Sequence, residues 1–225
     1  MVTGSVEGLA GLVDSALRRR QSGAVAAFVA GAPQEEVALA AVRVLGPDAL
    51  APALLAGAAP LGADRMVLVR ALDAHPVTGA DGLEVLCLTQ AARALCGGED
   101  ATGVGSAAAG WARATAGWDW ITLSRRVAWL APMAWPQLCG PVGETVCGRA
   151  VDVGRGLARA MLRRDYPTAA RLARWAALAG RLGTDPGLDL DTVTRHLDLC
   201  GDASSRTALH TELARRMTPA AAEGP

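Results

Sequence analysis

Residues 118–120 read Trp-Asp-Trp, and that spacing offers the chemistry of a carboxylate held between two indoles. An Asp119 pressed between Trp118 and Trp120 would lose water, its pKa would rise, and it would suit general acid–base work. Its structural alternative is the N-cap of a helix over residues 119–130. Tyr166, the only phenol in the chain, is the second catalytic candidate, with packing at the Asp165-Tyr166-Pro167 turn as its alternative. Trp118 and Trp120 cannot both face one core from a helix, because positions i and i+2 point about 200° apart. One of them is expected to be exposed or off the helix.

Around this motif the charge is uneven. Residues 111–175 hold ten Arg against Asp119, Glu144, Asp152 and Asp165, a net of +6. Residues 1–110 carry −4 and residues 176–225 carry −2, so the neutral total conceals a basic middle. All six Trp fall in the same segment. A packing reading makes Trp111, Trp118, Trp129 and Trp175 core anchors, with Arg125, Arg126, Arg163 and Arg164 on solvated helix faces. A binding reading makes the segment a cleft in which guanidiniums hold an anion and indoles stack on an apolar or aromatic group. Its ligand-binding set is Trp118, Trp120, Arg125, Arg126, Trp129 and Arg163. Its partner is an acidic peptide, a protein segment or an anionic small molecule. Glu144 and Asp152 read as surface ion pairs with Arg149, Arg155 and Arg159.

Composition excludes other chemistry. All 22 basic residues are Arg, and Lys and Asn are absent, which removes Schiff-base, pyridoxal-phosphate and Walker lysines. With 48 Ala and single Ile, Phe and Tyr residues, the chain has the composition of a very GC-rich, actinobacterial-type genome. Zero net charge with acidic ends makes nucleic acid an unfavoured partner; a helical-repeat DNA glycosylase using Trp118-Asp119-Trp120 as a base cradle is a remote alternative. His75, His196 and His210 show no metal-ligand spacing and read as surface or capping residues. The five Cys form no CxxC and read as buried, reduced thiols, so neither metal nor cofactor is expected. Residues 103–110 read as a small-residue helix rather than a phosphate loop. The first 20 residues run counter to a secretory signal. The longest candidate for a spanning run, residues 127–143, is broken by Pro132, Pro136 and Pro141. A cytoplasmic protein with no membrane partner is expected.

The elements that must carry these residues are helices: the apolar period is helical throughout and no stretch alternates as a strand. The expectation is all-α: about ten helices packed as antiparallel hairpins, α-solenoid-like or an irregular helical bundle. One domain covers residues 1–217, and residues 218–225 form a disordered tail. Ser5 and Ser22 are placed to cap the first two helices, Asp48 to open a helix running to Leu55, and residues 142–164 to form one helix. Residues 157–178 resemble part of a tetratricopeptide repeat, with Asp165-Tyr166 at the turn and Ala169 and Ala176 at small positions, departing from it at Pro167. Residues 16–28 echo residues 161–173, which implies helix hairpins.

The function expected from these residues is recognition of an acidic or anionic partner through the cleft at 111–175, since no catalytic constellation is recognisable. The alternative is a metal-free lyase or cyclase tailoring a peptide or aromatic intermediate in actinobacterial natural-product biosynthesis.

Overall fold

Alanine, leucine and arginine favour helix, and β-branched residues are too sparse to sustain a sheet. The computed structural model, which describes residues 2–78, 82–97, 101–201 and 204–218, is accordingly 79% helical, with no strand among the described residues. In chain order the helices are α1 (Val2–Arg19), α2 (Ala24–Ala30), α3 (Glu35–Leu45), α4 (Ala51–Leu55), α5 (Gly62–Ala74), α6 (Leu83–Leu95) and α7 (Ala101–Ala114). There follow α8 (Trp120–Trp129), α9 (Pro141–Gly148), α10 (Ala150–Leu162), α11 (Tyr166–Arg181), α12 (Leu190–Cys200) and α13 (Ser205–Met217). Short 3-10 turns lie at Gly46–Leu50, Thr115–Gly117, Ala131–Met133 and Pro136–Leu138.

Helix α11 is the axis. Between residues 169 and 179 every side chain but Arg171 is buried, and all of the buried ones except Arg174 are small or apolar. Ala169, Ala173, Ala176 and Ala177 have no exposed surface. A helix that is apolar on nearly all sides must be surrounded, and α8, α9, α10, α12 and α13 all pack on α11. Helix α1 packs on α13, so the two ends of the described chain meet. Glu7 of α1 accepts hydrogen bonds from Ser204 Oγ and the Arg206 backbone N–H, both at 3.2 Å, and so caps the positive end of α13. A solenoid would keep contacts between neighbours only; this is an irregular bundle.

Several local expectations are corrected. Ser5 lies inside α1, which starts at Val2. Helix α2 begins after Gly23 rather than under a Ser22 cap, and Asp64 of α5 supplies the carboxylate, accepting from Gly23 N–H at 3.0 Å and Ala26 N–H at 2.9 Å. Pro47 and Asp48 open a helical stretch to Leu55, but as a 3-10 turn leading into α4, and Asp48 is buried there with 0% exposure. Residues 142–164 split into α9 and α10 at Arg149. Cys200 is exposed at the end of α12, whereas burial pushes the Cys87 and Cys147 thiols up to about 11. The apolar stretch Glu35–Leu55 has the length and composition of a membrane span, but it is broken into α3, a 3-10 turn and α4 and is 67% buried in the protein. Helix α13 ends at Met217; the tail, from residue 219 onward, lies outside the described residues.

The ends of α1 and α10 turn alike, one residue out of register with the echo between residues 16–28 and 161–173. Arg20 and Arg164 both adopt the left-handed region, at φ 55 and 58. The following residues close the helix ends in the same way, Gln21 N–H donating to Ala16 O and Asp165 N–H to Ala160 O. Pro167 fits because it falls in the first turn of α11, where its missing N–H is not needed.

Candidate functional site

The basic segment splits into two environments on opposite sides of α8. On one side Trp111 is fully buried, Trp118 stands edge-on to it at 5.6 Å, and Arg126 lies over the Trp118 ring at 5.5 Å. Glu84 closes this cluster, accepting from Trp111 Nε1 at 3.3 Å and pairing with Arg126 at 3.0 Å. Trp118 and Arg126 are thus spent on packing and pairing, and neither reaches the cavity described next.

On the other side α8, α10 and the first turns of α11 enclose a cavity of about 350 Å³. Helices α8 and α10 approach so closely here that a Cβ on Gly156 would lie 2.1 Å from Ser124 Oγ. Only glycine fits that contact, and it sets the floor of the cavity. Trp120, Arg125, Trp129 and Arg163, four of the six residues in the sequence-derived binding set, line it, joined by Arg159 and Arg171. Arg159 lies over Trp120 at 5.8 Å rather than on Glu144 or Asp152; Asp152 is held by Arg149 at 2.6 Å and Arg155 at 3.2 Å. The one carboxylate on the cavity wall among the described residues, Asp165, caps α11 by accepting from Thr168 N–H at 3.3 Å. The side chains of Arg125 and Arg163 make no ion pair or hydrogen bond among the described residues.

Trp129 is 66% exposed. This corrects its assignment as a core anchor: the third fully buried indole, beside Trp111 and Trp175, is Trp135. Trp118 is off the helix in an extended conformation, and Trp120 is the first residue of α8. Asp119 is a helix cap, accepting from Thr122 N–H at 2.8 Å. Those hydrogen bonds from Thr122 hold its carboxyl below the usual range, the reverse of the rise expected for a desolvated acid. Tyr166 packs against His196, ring to ring at 6.1 Å, and does not line the cavity.

Trp129 and Arg171 also form the wall of a second cavity, of about 500 Å³, which lies between α3, α6, α8, α11 and α13. Its polar lining is Arg43, His75, Arg171, Arg206 and His210, with no carboxylate among the described residues. Arg206 and His210 lie four apart on one face of α13, and Arg171 and Arg174 three apart on α11. Arg43 donates to Thr89 Oγ1 at 2.6 Å and to the His75 carbonyl at 3.3 Å. Burial, then the nearby Arg206, lower the pKa of Arg171.

His210 corrects the surface reading most sharply, being only 3% exposed. Burial first, then Arg174, Arg171 and Arg206, press its pKa well below 6.5, so it is neutral. Its Nδ1 lies 3.2 Å from Arg174 Nη1. A guanidinium can only donate, so Nδ1 accepts and the proton resides on Nε2. The histidine on this wall is therefore a neutral N–H donor.

Sequence reasoning missed this second cavity because its polar side chains come from positions 43, 75, 171, 206 and 210. The only local signals were the four-residue spacing of Arg206 and His210 and the three-residue spacing of Arg171 and Arg174. Among the described residues no group of three or more His, Cys, Asp or Glu stands together to hold a metal ion. No family model matches the chain, and no match is found among curated proteins or solved structures.

Proposed function

We propose that this chain is a recognition protein that holds an anionic ligand, either a small molecule or an acidic segment, in the cavity between α8, α10 and α11. The observation that carries this reading is the imbalance on the cavity wall: Arg125, Arg159, Arg163 and Arg171 stand around one carboxylate among the described residues, Asp165, beside the exposed Trp129. Like charges gathered in a concave site focus positive potential on it. A bidentate contact to a carboxylate or phosphate exploits the planar guanidinium, and the open indole takes an apolar or flat body. A cytoplasmic setting belongs to this reading. Recognition is preferred to the tailoring-enzyme alternative because Asp119 and Tyr166, the catalytic candidates, line neither cavity.

The test is a thermal-shift screen of small carboxylates and phosphates, with hits compared across two double variants. Arg125→Glu with Arg163→Glu reverses the cavity wall, while Arg19→Glu with Arg195→Glu reverses two exposed arginines away from both cavities. Hits should vanish in the first and persist in the second. Equal loss in both would remove the reason for placing a site here.

A further inference from the structure

We propose that the second cavity, behind Trp129, is a phosphate subsite, and that the ligand is a small phosphomonoester whose apolar body lies against Trp129. This rests on the reading that the region binds an anion, and it names the group and the place.

The cavity wall offers donors and cations and, among the described residues, no acid. Arg206 lies close enough to Arg171 to help lower its pKa, and among the described residues neither makes an ion pair. Arg206 Nε and His75 Nε2 are buried with no hydrogen-bond partner among the described residues. His210 adds its Nε2–H to the same lining. The acids whose charge reaches these arginines are hydrogen-bonded to other groups: Asp48, which acts on Arg206, to Arg174 and Trp135, and Asp165, which acts on Arg171, at the cap of α11. A buried donor without an acceptor, such as Arg206 Nε, is uncommon in folded proteins, and an anion seated here would satisfy it, accept from His75 in its Nε2–H tautomer, and relieve the repulsion between the arginines.

A tetrahedral dianion fits this lining better than a carboxylate. Its three terminal oxygens accept from several directions, matching donors that arrive from the end of α5, from α11 and from α13, whereas a carboxylate accepts mainly in one plane. The remaining wall is apolar, with Val85, Leu88, Pro76 and Pro132, and the volume of about 500 Å³ exceeds what a phosphate group alone would fill. That surplus and the open Trp129 ring assign an apolar body to the ligand.

The three histidines supply a readout that needs no variant. His75 and His210 line the cavity, while His196 packs on Tyr166 outside it. Phenyl phosphate titrated into the wild-type protein should shift the imidazole resonances of His75 and His210, saturably, and leave His196 in place. Benzoate at the same concentrations should leave all three unmoved. Arg206→Gln should weaken phenyl phosphate by about tenfold or more, the loss of one charged hydrogen bond, while Arg163→Gln, confined to the first cavity, should change it by less than about twofold. If Arg206→Gln does not fold, the histidine pattern alone decides. No shift, a shift of all three histidines together, or benzoate binding as tightly as phenyl phosphate would overturn the proposal. Sensitivity to Arg163→Gln without sensitivity to Arg206→Gln would overturn the subsite and leave the first cavity as the anion site. If no thermal-shift hit is lost in Arg125→Glu with Arg163→Glu while phenyl phosphate still depends on Arg206, the subsite stands and the function assigned to the first cavity falls.

Discussion

Arg174 Nη1 donates to Asp48 Oδ2 at 2.6 Å across 126 positions of sequence, and neither side chain has any exposed surface. The same guanidinium lies over the Trp135 ring at 5.1 Å, and Trp135 Nε1 donates to Asp48 Oδ1 at 3.2 Å. Burial pushes the Asp48 carboxyl up, and Arg174 offsets part of that rise. The pair ties the Gly46–Leu50 turn to α11 and, through His210, to α13. It therefore fixes the orientation of the neutral histidine on the second cavity wall.

Breaking this pair on one side should be severe. Arg174→Met strands a buried carboxylate, and a loss of about 3–5 kcal/mol is expected. The double variant Arg174→Met with Asp48→Leu removes both charges and should recover a large part of that loss, although Trp135 Nε1 then lacks its acceptor. Urea unfolding of the single and double variants measures the coupling; additive losses would show that the two side chains do not depend on each other.

The His210 contribution to stability should fall as pH drops from 7 to 5. Above about pH 6.5 His210 is neutral in both folded and unfolded chains and contributes nothing to the pH dependence. Below it the unfolded chain takes up a proton that the buried imidazole refuses, so the folded state loses ground until the pH reaches the depressed folded value. His210→Gln should remove this loss. The raised Asp48 carboxyl works in the opposite direction but is common to both proteins, and the low-lying Asp119 carboxyl titrates further down. An unchanged slope in His210→Gln would place the proton uptake elsewhere.

The tryptophans should divide by role. Trp129→Ala removes a ring that is 66% exposed, and unfolding free energy should change by less than about 1 kcal/mol. Trp135→Ala empties a fully buried site and should cost about 3–5 kcal/mol. Chemical denaturation of the two variants separates them.

Gly156→Ala probes the floor of the first cavity. The new Cβ would meet Ser124 Oγ at 2.1 Å and Ser124 Cβ at 2.4 Å. Forcing α8 from α10 should cost about 1–3 kcal/mol. Ser124→Ala should rescue this only in part, because the Cβ contact remains. A shift in thermal midpoint read alongside binding of any screen hit would show whether the two helices must touch to shape the cavity.

The helical class was legible because it needs only local patterning: apolar period, Gly and Pro punctuation, and the absence of strand-forming runs. Asp119 was readable as a cap and Asp165 as a turn residue for the same reason, as was the hairpin at residues 157–178. Asp48, Arg174 and His210 were not. Each looks like an ordinary surface residue within its own helix or turn, and only packing over more than a hundred residues brings Asp48 to the other two. Within the basic segment, composition found the right neighbourhood but could not divide its residues. Arg125 and Arg126 are adjacent in sequence, so the step of about 100° between them on α8 sends one to the cavity and the other to Glu84 and Trp118.

The central claim is that Trp129 stands in a cavity built for anions, and it can be measured without knowing the ligand. Iodide and caesium ions both quench indole fluorescence but carry opposite charge. The account predicts that iodide quenches strongly and caesium weakly, that Trp129→Phe removes most of this difference, and that Arg125→Glu with Arg163→Glu reverses it. Equal quenching of Trp129 by the two ions, or a preference for iodide that survives the charge reversal, would contradict it.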